Sequence, residues 1–286
     1  MKAASHLFPA QNDLGEGPRW HAEEQKLYWV DIELGEIHTL TWQDKVHEVY
    51  TVGASVGCLA FRSAGSLVLA TGNGFSFWSA ENGISEIIDP RRSGEGRFND
   101  GAVDPEGRFW AGTMTPEGAN NSLFRLGPDG KVKRMESGIA ISNGIGWSPD
   151  GSVCYFTDSP RKTIYAYDFD PAQGLVLNRR VWVSTPDEPG VPDGLVVDQE
   201  GCIWSARWDG WKVNRYDPDG NLILEVSVPC QRPTSCTFGG DDLSMLIITT
   251  AKVDLNDAEL GEQPQAGDLF YFKTDTKGLG ENFFSG

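Results

Sequence analysis

Residues 100–113 read DGAVDPEGRFWAGT, residues 143–158 read NGIGWSPDGSVCYFTD and residues 193–207 read DGLVVDQEGCIWSAR. All three follow one pattern: a polar residue, a small residue, an apolar run, a turn, then a second apolar run. Working outward, three more copies emerge: EGPRWHAEEQKLYWVD from Glu16, VGCLAFRSAGSLVLAT from Val56 and TSCTFGGDDLSMLIITT from Thr234. The small residues are Gly17, Gly57, Gly101, Gly144, Gly194 and Ser235. Their spacing, about 40–50 residues, belongs to repeat architectures. The apolar runs are short and bounded by Gly, Pro, Asp and Asn, so each copy reads as two paired strands.

A second half-motif follows every copy, as in GEIHTLTWQD from Gly35, KTIYAYDFDP from Lys162 and GDLFYFKTDT from Gly267. These stretches alternate and carry aromatic or β-branched residues, the pattern of half-buried strands. A fourth strand follows most of them, in KVHEVYTV, GISEIID, KVKRMES, LVLNRRVWV and LILEVSV. Six units of four antiparallel strands predict an all-β chain, a six-bladed β-propeller. No useful helical periodicity is present. The last unit lacks a fourth strand, because only KGLGENFFSG remains after it. A spare strand near Ala4 to Phe8 is expected to complete that blade and close the ring, making residues 1–286 a single domain.

Composition agrees. The chain has 286 residues, 24 Lys and Arg against 41 Asp and Glu, and a net charge of −17. That sign argues against nucleic acid or an anionic membrane as partner, since both require a positive field. With 39% hydrophobic and 23% charged residues the chain reads as globular. Five Cys without a C-x-x-C pair read as reduced core residues. The N-terminus lacks a signal-like apolar run and no stretch is long enough to span a membrane. A soluble, cytoplasmic protein is expected.

In a propeller the innermost strands converge on an axial channel. The polar residue opening each copy gives one ring there: Glu16, Val56, Asp100, Asn143, Asp193 and Thr234. Any one of these could be an ordinary turn residue, because Asn-Gly and Asp-Gly are common turn dipeptides. Several oxygen donors at one repeat position point instead to a site. Converging carboxylates repel unless a cation lies between them. Glu, Asn and Asp make an all-oxygen set for one divalent ion: Ca²⁺, Mg²⁺, Mn²⁺, Zn²⁺ or Fe²⁺.

The segments LGEGPRW (14–20), RFNDGAVDPEGRFWAGTM (97–114), SNGIGWSPDG (142–151) and PDGLVVDQEGCIWSA (192–206) resemble the SMP-30/gluconolactonase family. The likeness runs through all six units. It implies a six-bladed propeller holding one divalent cation and hydrolysing a sugar lactone to the aldonic acid. It further implies Glu16, Asn143 and Asp193 as metal ligands, with Asp193 also the general base. Arg97 and Asn99 of RFND would hold substrate, and Glu117, shortly after GTM, is a further candidate; Asp100 would support Asn99 or channel water. Trp208 and Trp211 could stack on a sugar, although Trp in propellers more often packs blades.

Other signals are rejected. GASVG at 53–57 matches a nucleophile elbow, but all four His precede Ser55 and a strand pair follows it. No H-E-x-x-H occurs. Two alternatives to the lactonase stay open: another esterase or phosphotriesterase on the same scaffold, and a non-enzymatic metal-binding regulatory propeller. A polar channel mouth would favour the lactonase over the esterase, an apolar mouth the reverse. An intact RFND favours an enzyme, because a pure metal binder has no need of Arg97 and Asn99.

Overall fold

A computed structural model describes residues 2–92, 95–118 and 120–286. It is a six-bladed propeller of antiparallel sheets. The innermost strands are Gly15–His21, Val56–Phe61, Arg97–Val103, Ser142–Trp147, Val191–Val197 and Pro233–Gly239. They open blades 1 to 6, each at a copy of the repeat. The expected closure is present: Ser5–Phe8 runs antiparallel to Leu269–Lys273, pairing Ser5 with Tyr271 and His6 with Phe270. The N-terminus also reaches one blade further than expected. Lys2–Ala3 adds a parallel fifth strand to blade 5 beside Leu222–Ser227. Residues 2–8 thus strap two blades together.

Burial explains the strand patterns. Inner strands have neighbours on both faces and read as continuous apolar runs; all of Val56–Phe61 is buried. Outermost strands face water, and Leu175–Ser184 is mostly exposed. Aromatic residues fill the gaps between blades, with Phe75, Phe98, Phe109 and Phe124 between blades 2 and 3 and Trp110, Trp147 and Phe169 between 3 and 4. The repeated D-x-E-G-x-x-W in blades 3 and 5 has a local cause. One oxygen of Asp104 accepts the amides of Glu106 and Arg108, and the other accepts Trp110 Nε1 at 2.8 Å. Asp198 does the same for Glu200, Cys202 and Trp204. One carboxylate closes the hairpin and pins the packing Trp.

The axis is crowded enough to require small residues. A Cβ on Gly144 would lie 2.5 Å from Leu195 N, and one on Gly194 would lie 2.2 Å from Ser235 Oγ. Each glycine lets the next blade's inner strand close in, and each follows a candidate ligand. All five Cys are free and buried, as expected of core residues.

The C-terminal remainder is structural. The Lys277 carbonyl accepts the Gln199 amide, and the Phe284 and Ser285 amides donate to Phe61 and Gly107. Phe284 is fully buried among the blade 2 and 3 aromatics. Between these anchors, Leu279–Asn282 lie at a cavity bordered by the far ends of the inner strands, at Val103, Trp147 and Val197. The tail therefore crosses the channel mouth opposite the repeat's polar residues. One short helix, Asp257–Glu262, was not anticipated; Asn256 and Glu259 form a capping box at its start.

Candidate functional site

The entry ends of the inner strands enclose a cavity of about 400 Å³. Glu16, Asn143 and Asp193 line it together with Arg97 and Asn99. These five residues come from blades 1, 3, 4 and 5 and span 178 positions of sequence, from 16 to 193 including both ends. Glu117 is exposed in the turn after Phe109–Met114 and is not part of the lining. Trp208 lines the cavity, whereas Trp211 is exposed and does not.

Strand register corrects the equivalence expected for Asp100. In blades 3, 4 and 5 the inner strand bulges between Phe98 and Gly101, between Ser142 and Ile145, and between Pro192 and Leu195. Asn99 therefore stands where Asn143 and Asp193 stand, and Asp100 takes the place of Gly144 and Gly194. This one-residue slip puts Asn99 on the cavity and buries Asp100 beside it. The letters misled because Asp100-Gly101 copies the dipeptides of the other blades.

Hydrogen bonds fix the polar wall. Arg97 Nη1 donates to Asn99 Oδ1 at 2.7 Å, and Asn99 Nδ2 donates to the Ser142 carbonyl at 2.9 Å. Asn99 thus anchors Arg97 to blade 4. Glu33 at the rim lies 3.6 Å from Arg97 Nη2. Asn143 Nδ2 donates to Ser159 Oγ at 3.1 Å, and its Oδ1, buried, has no partner. A buried acceptor without a donor is costly unless something positive meets it. Ser159 had no sequence signal. It begins the turn Ser159–Arg161 after the second strand of blade 4, sixteen positions past the residue it orients.

Electrostatics point the same way. Burial, then the neighbouring Asp100, pushes the Glu16 pKa up to about 8, against the Gly17 amide, Arg97 and Arg19. Burial raises Asp193 well above the carboxylate range, with Glu16 and Asp100 adding to it. Asp100 is raised by burial and held back by Arg19. Deeper in the channel, Arg19 donates to the Gly101 carbonyl and lies 3.9 Å from Glu281 of the C-terminal tail. Along the axis four carboxyl groups, Glu16, Asp100, Asp193 and Glu281, face two guanidinium groups, Arg19 and Arg97, and each of the four is held above its ordinary pKa by burial.

Glu16, Asn143 and Asp193 fit a divalent ion: oxygen donors of hard character, two buried carboxyl groups whose charge a cation would stabilise, and one orphaned amide oxygen. Among the described residues one other acidic group, Asp198, Glu200 and Cys202, brings ligand atoms close together. It fits poorly, because Asp198 already serves Trp204 and two amides and Arg215 bridges Asp198 and Glu200.

The family model described as the SMP-30/Gluconolactonase/LRE-like region matches residues 14–252. The chain belongs to that family. It is 38% identical to the pentonolactonase of Haloferax volcanii over 90% of this chain and 89% of that one. It is 34% identical to the 6-deoxy-6-sulfogluconolactonase of Pseudomonas putida, over 96% and 95%. In structure it is similar to a calcium-binding protein, regucalcin, from Agrobacterium tumefaciens, with a TM-score of 0.94, 31% identity and coverage of 99% and 97%. Above its polar base the cavity of this chain has an apolar wall, formed by Leu14, Met114, Ile141, Pro160, Val191 and Trp208.

Proposed function

We propose that the chain is a lactonase that opens a sugar lactone to the aldonic acid with the help of one divalent cation held by Glu16, Asn143 and Asp193. The observation that carries this is the convergence of those three side chains in one cavity, with the Asn143 oxygen left free by the bond to Ser159. The relatives named as lactonases supply the substrate class. When bound, the cation supplies Lewis acidity toward an ester carbonyl and a water molecule.

This chain's own residues do the rest. Asp193 takes a proton from the attacking water at a carboxylate oxygen. Arg97, held by Asn99, presents its guanidinium to the sugar hydroxyls and to the charge that develops on oxygen. Ser159 keeps the Asn143 oxygen turned toward the cavity. Crossing the far mouth, the C-terminal tail leaves the entry-end mouth for substrate.

The apolar wall favours a second reading, a hydrolase of less polar esters or phosphotriesters. A pH-indicator assay separates the two. γ- and δ-lactones of gluconate, galactonate, xylonate and arabinonate are tested beside an aryl ester and a phosphotriester, with chelator and after return of single cations. Cation-dependent acid release from a lactone, lost in Asp193→Ala, is expected. Turnover of the aryl ester or phosphotriester with no lactone opened would replace the lactonase by the second reading.

A further inference from the structure

Strand geometry divides the cavity wall into two unlike arcs. Residues two apart on a strand face the same way. Leu14, Ile141 and Val191 therefore stand one step toward the mouth from Glu16, Asn143 and Asp193. In blade 3 the same step from Asn99 is Arg97. Pro160 and Trp208 extend the apolar arc at the ends of neighbouring strands. Ser159 is the polar residue on this arc, and its oxygen accepts from Asn143 at the base of the cavity.

Cations near this arc are spoken for. Arg232 lies 4.7 Å from the Trp208 ring centroid and is bonded to Asp209 at 2.8 Å. Arg161 pairs with Asp158. The wall therefore places its charged donor, Arg97, on the blade 3 side, and the opposite arc offers only the Ser159 hydroxyl proton and the Trp208 indole among apolar side chains. A lactone with its carbonyl at the base and its ring hydroxyls toward Arg97 turns its remaining edge to Leu14, Ile141, Val191 and Trp208. A hydroxyl against Leu14, Ile141 and Val191 gives up water and meets no side-chain partner, whereas a methyl group gains burial.

Resting on the lactonase reading, we propose that the substrate is a lactone with an apolar terminus, of the 6-deoxyhexonolactone class. Leu14, Ile141, Val191 and Trp208 are the residues that select it. A terminal hydroxymethyl or an anionic terminal group is disfavoured at the same place.

The test compares kcat/KM for stereochemically matched pairs, a 6-deoxyhexono-γ-lactone and its 6-hydroxy parent, in the galacto and manno series. The full-length, cation-loaded protein is used. One misplaced polar group or missing apolar contact in such a pocket changes kcat/KM by about 10-fold or more, so the deoxy member of at least one pair should be preferred by that factor. Val191→Thr offers a hydroxyl at nearly constant volume and Ile141→Thr offers one with the loss of a methyl group; each should bring the ratio toward unity. The two positions lie on different blades, so either variant suffices if the other fails to fold. A wild-type protein that opens the parent as fast as the deoxy lactone in both series overturns the proposal and leaves the lactonase intact. A preference that survives both substitutions overturns the assignment of the selecting residues. If no member of either pair is opened while another lactone of the wider panel is, the proposal falls and the lactonase stands; if no lactone of either set is opened above its spontaneous rate, the lactonase reading itself falls.

Discussion

Replacing Glu16 with Gln removes one negative charge from the axis and nearly preserves shape. The acceptor used by the Gly17 amide at 2.7 Å survives as an amide oxygen. In the cation-free protein, burial and Asp100 raise the Glu16 pKa from 4.5 to about 8. A pKa higher in the folded chain means that the folded chain holds the proton more tightly than the unfolded one. The linked stability is complete below pH 4.5 and lost as pH rises through about 8. At about 1.4 kcal/mol per unit, roughly 3 kcal/mol of stability is gone by about pH 7. In a chain of this size that corresponds to roughly 6 °C of melting temperature. Gln does not titrate and escapes the loss. Calorimetry in chelator should find the two proteins melting together below pH 4.5 and Glu16→Gln higher by roughly 6 °C at about pH 7. A divalent cation at a hundredfold excess over its Kd should then add about 2.7 kcal/mol to the wild type and much less to the variant. A variant that melts below the wild type in chelator at about pH 7 would refute the reasoning. So would a cation that stabilises both equally.

Three further outcomes are expected. Ser159→Ala unpins the Asn143 amide, and cation affinity measured by calorimetric titration should fall about 10–100-fold with the melting curve nearly unchanged. Phe284→Ala empties a fully buried site where the C-terminal tail is anchored, and urea unfolding should report a loss of about 3–5 kcal/mol. His38 is held by burial and His47 at a pKa of about 4 against 6.5, so its contribution is present above pH 6.5 and lost as pH falls through about 4. His38→Gln should flatten that part of the stability curve.

The blades were legible because each must repeat the same alternation, turn and small axial residue to pack against the next. Their strands lie where the six copies lie, and closure by Ser5–Phe8 followed from a missing strand at the other end. The convergence of Asn143 and Asp193 was legible for the same reason, since a residue at one repeat position occupies one place around the axis; Glu16 lines the same cavity from one ladder position earlier, next to the bulge at Gly17 and Pro18. Asp100 was misplaced because a bulge changes register without changing letters. Glu117 was misplaced because spacing beyond Met114 does not say which way a turn leans. Ser159 carries no pattern of its own; only the folded blade brings it to Asn143. The path of the tail was unreadable in KGLGENFFSG, although an adjacent Phe pair after a glycine-rich stretch is a sign of anchoring. The helix at Asp257–Glu262 had a readable cue in the Asn256 to Glu259 spacing, but at six residues it was too short to show a period.

The most direct measurement is a titration of Mn²⁺ into chelated protein with lactone opening and bound cation followed together. Opening should rise from the spontaneous rate, level off at one ion per chain, and stay at the spontaneous rate in Asn143→Ala and Asp193→Ala. Lactone opening that is undiminished in chelator, or that saturates normally in both variants, would contradict a cation site built on Glu16, Asn143 and Asp193.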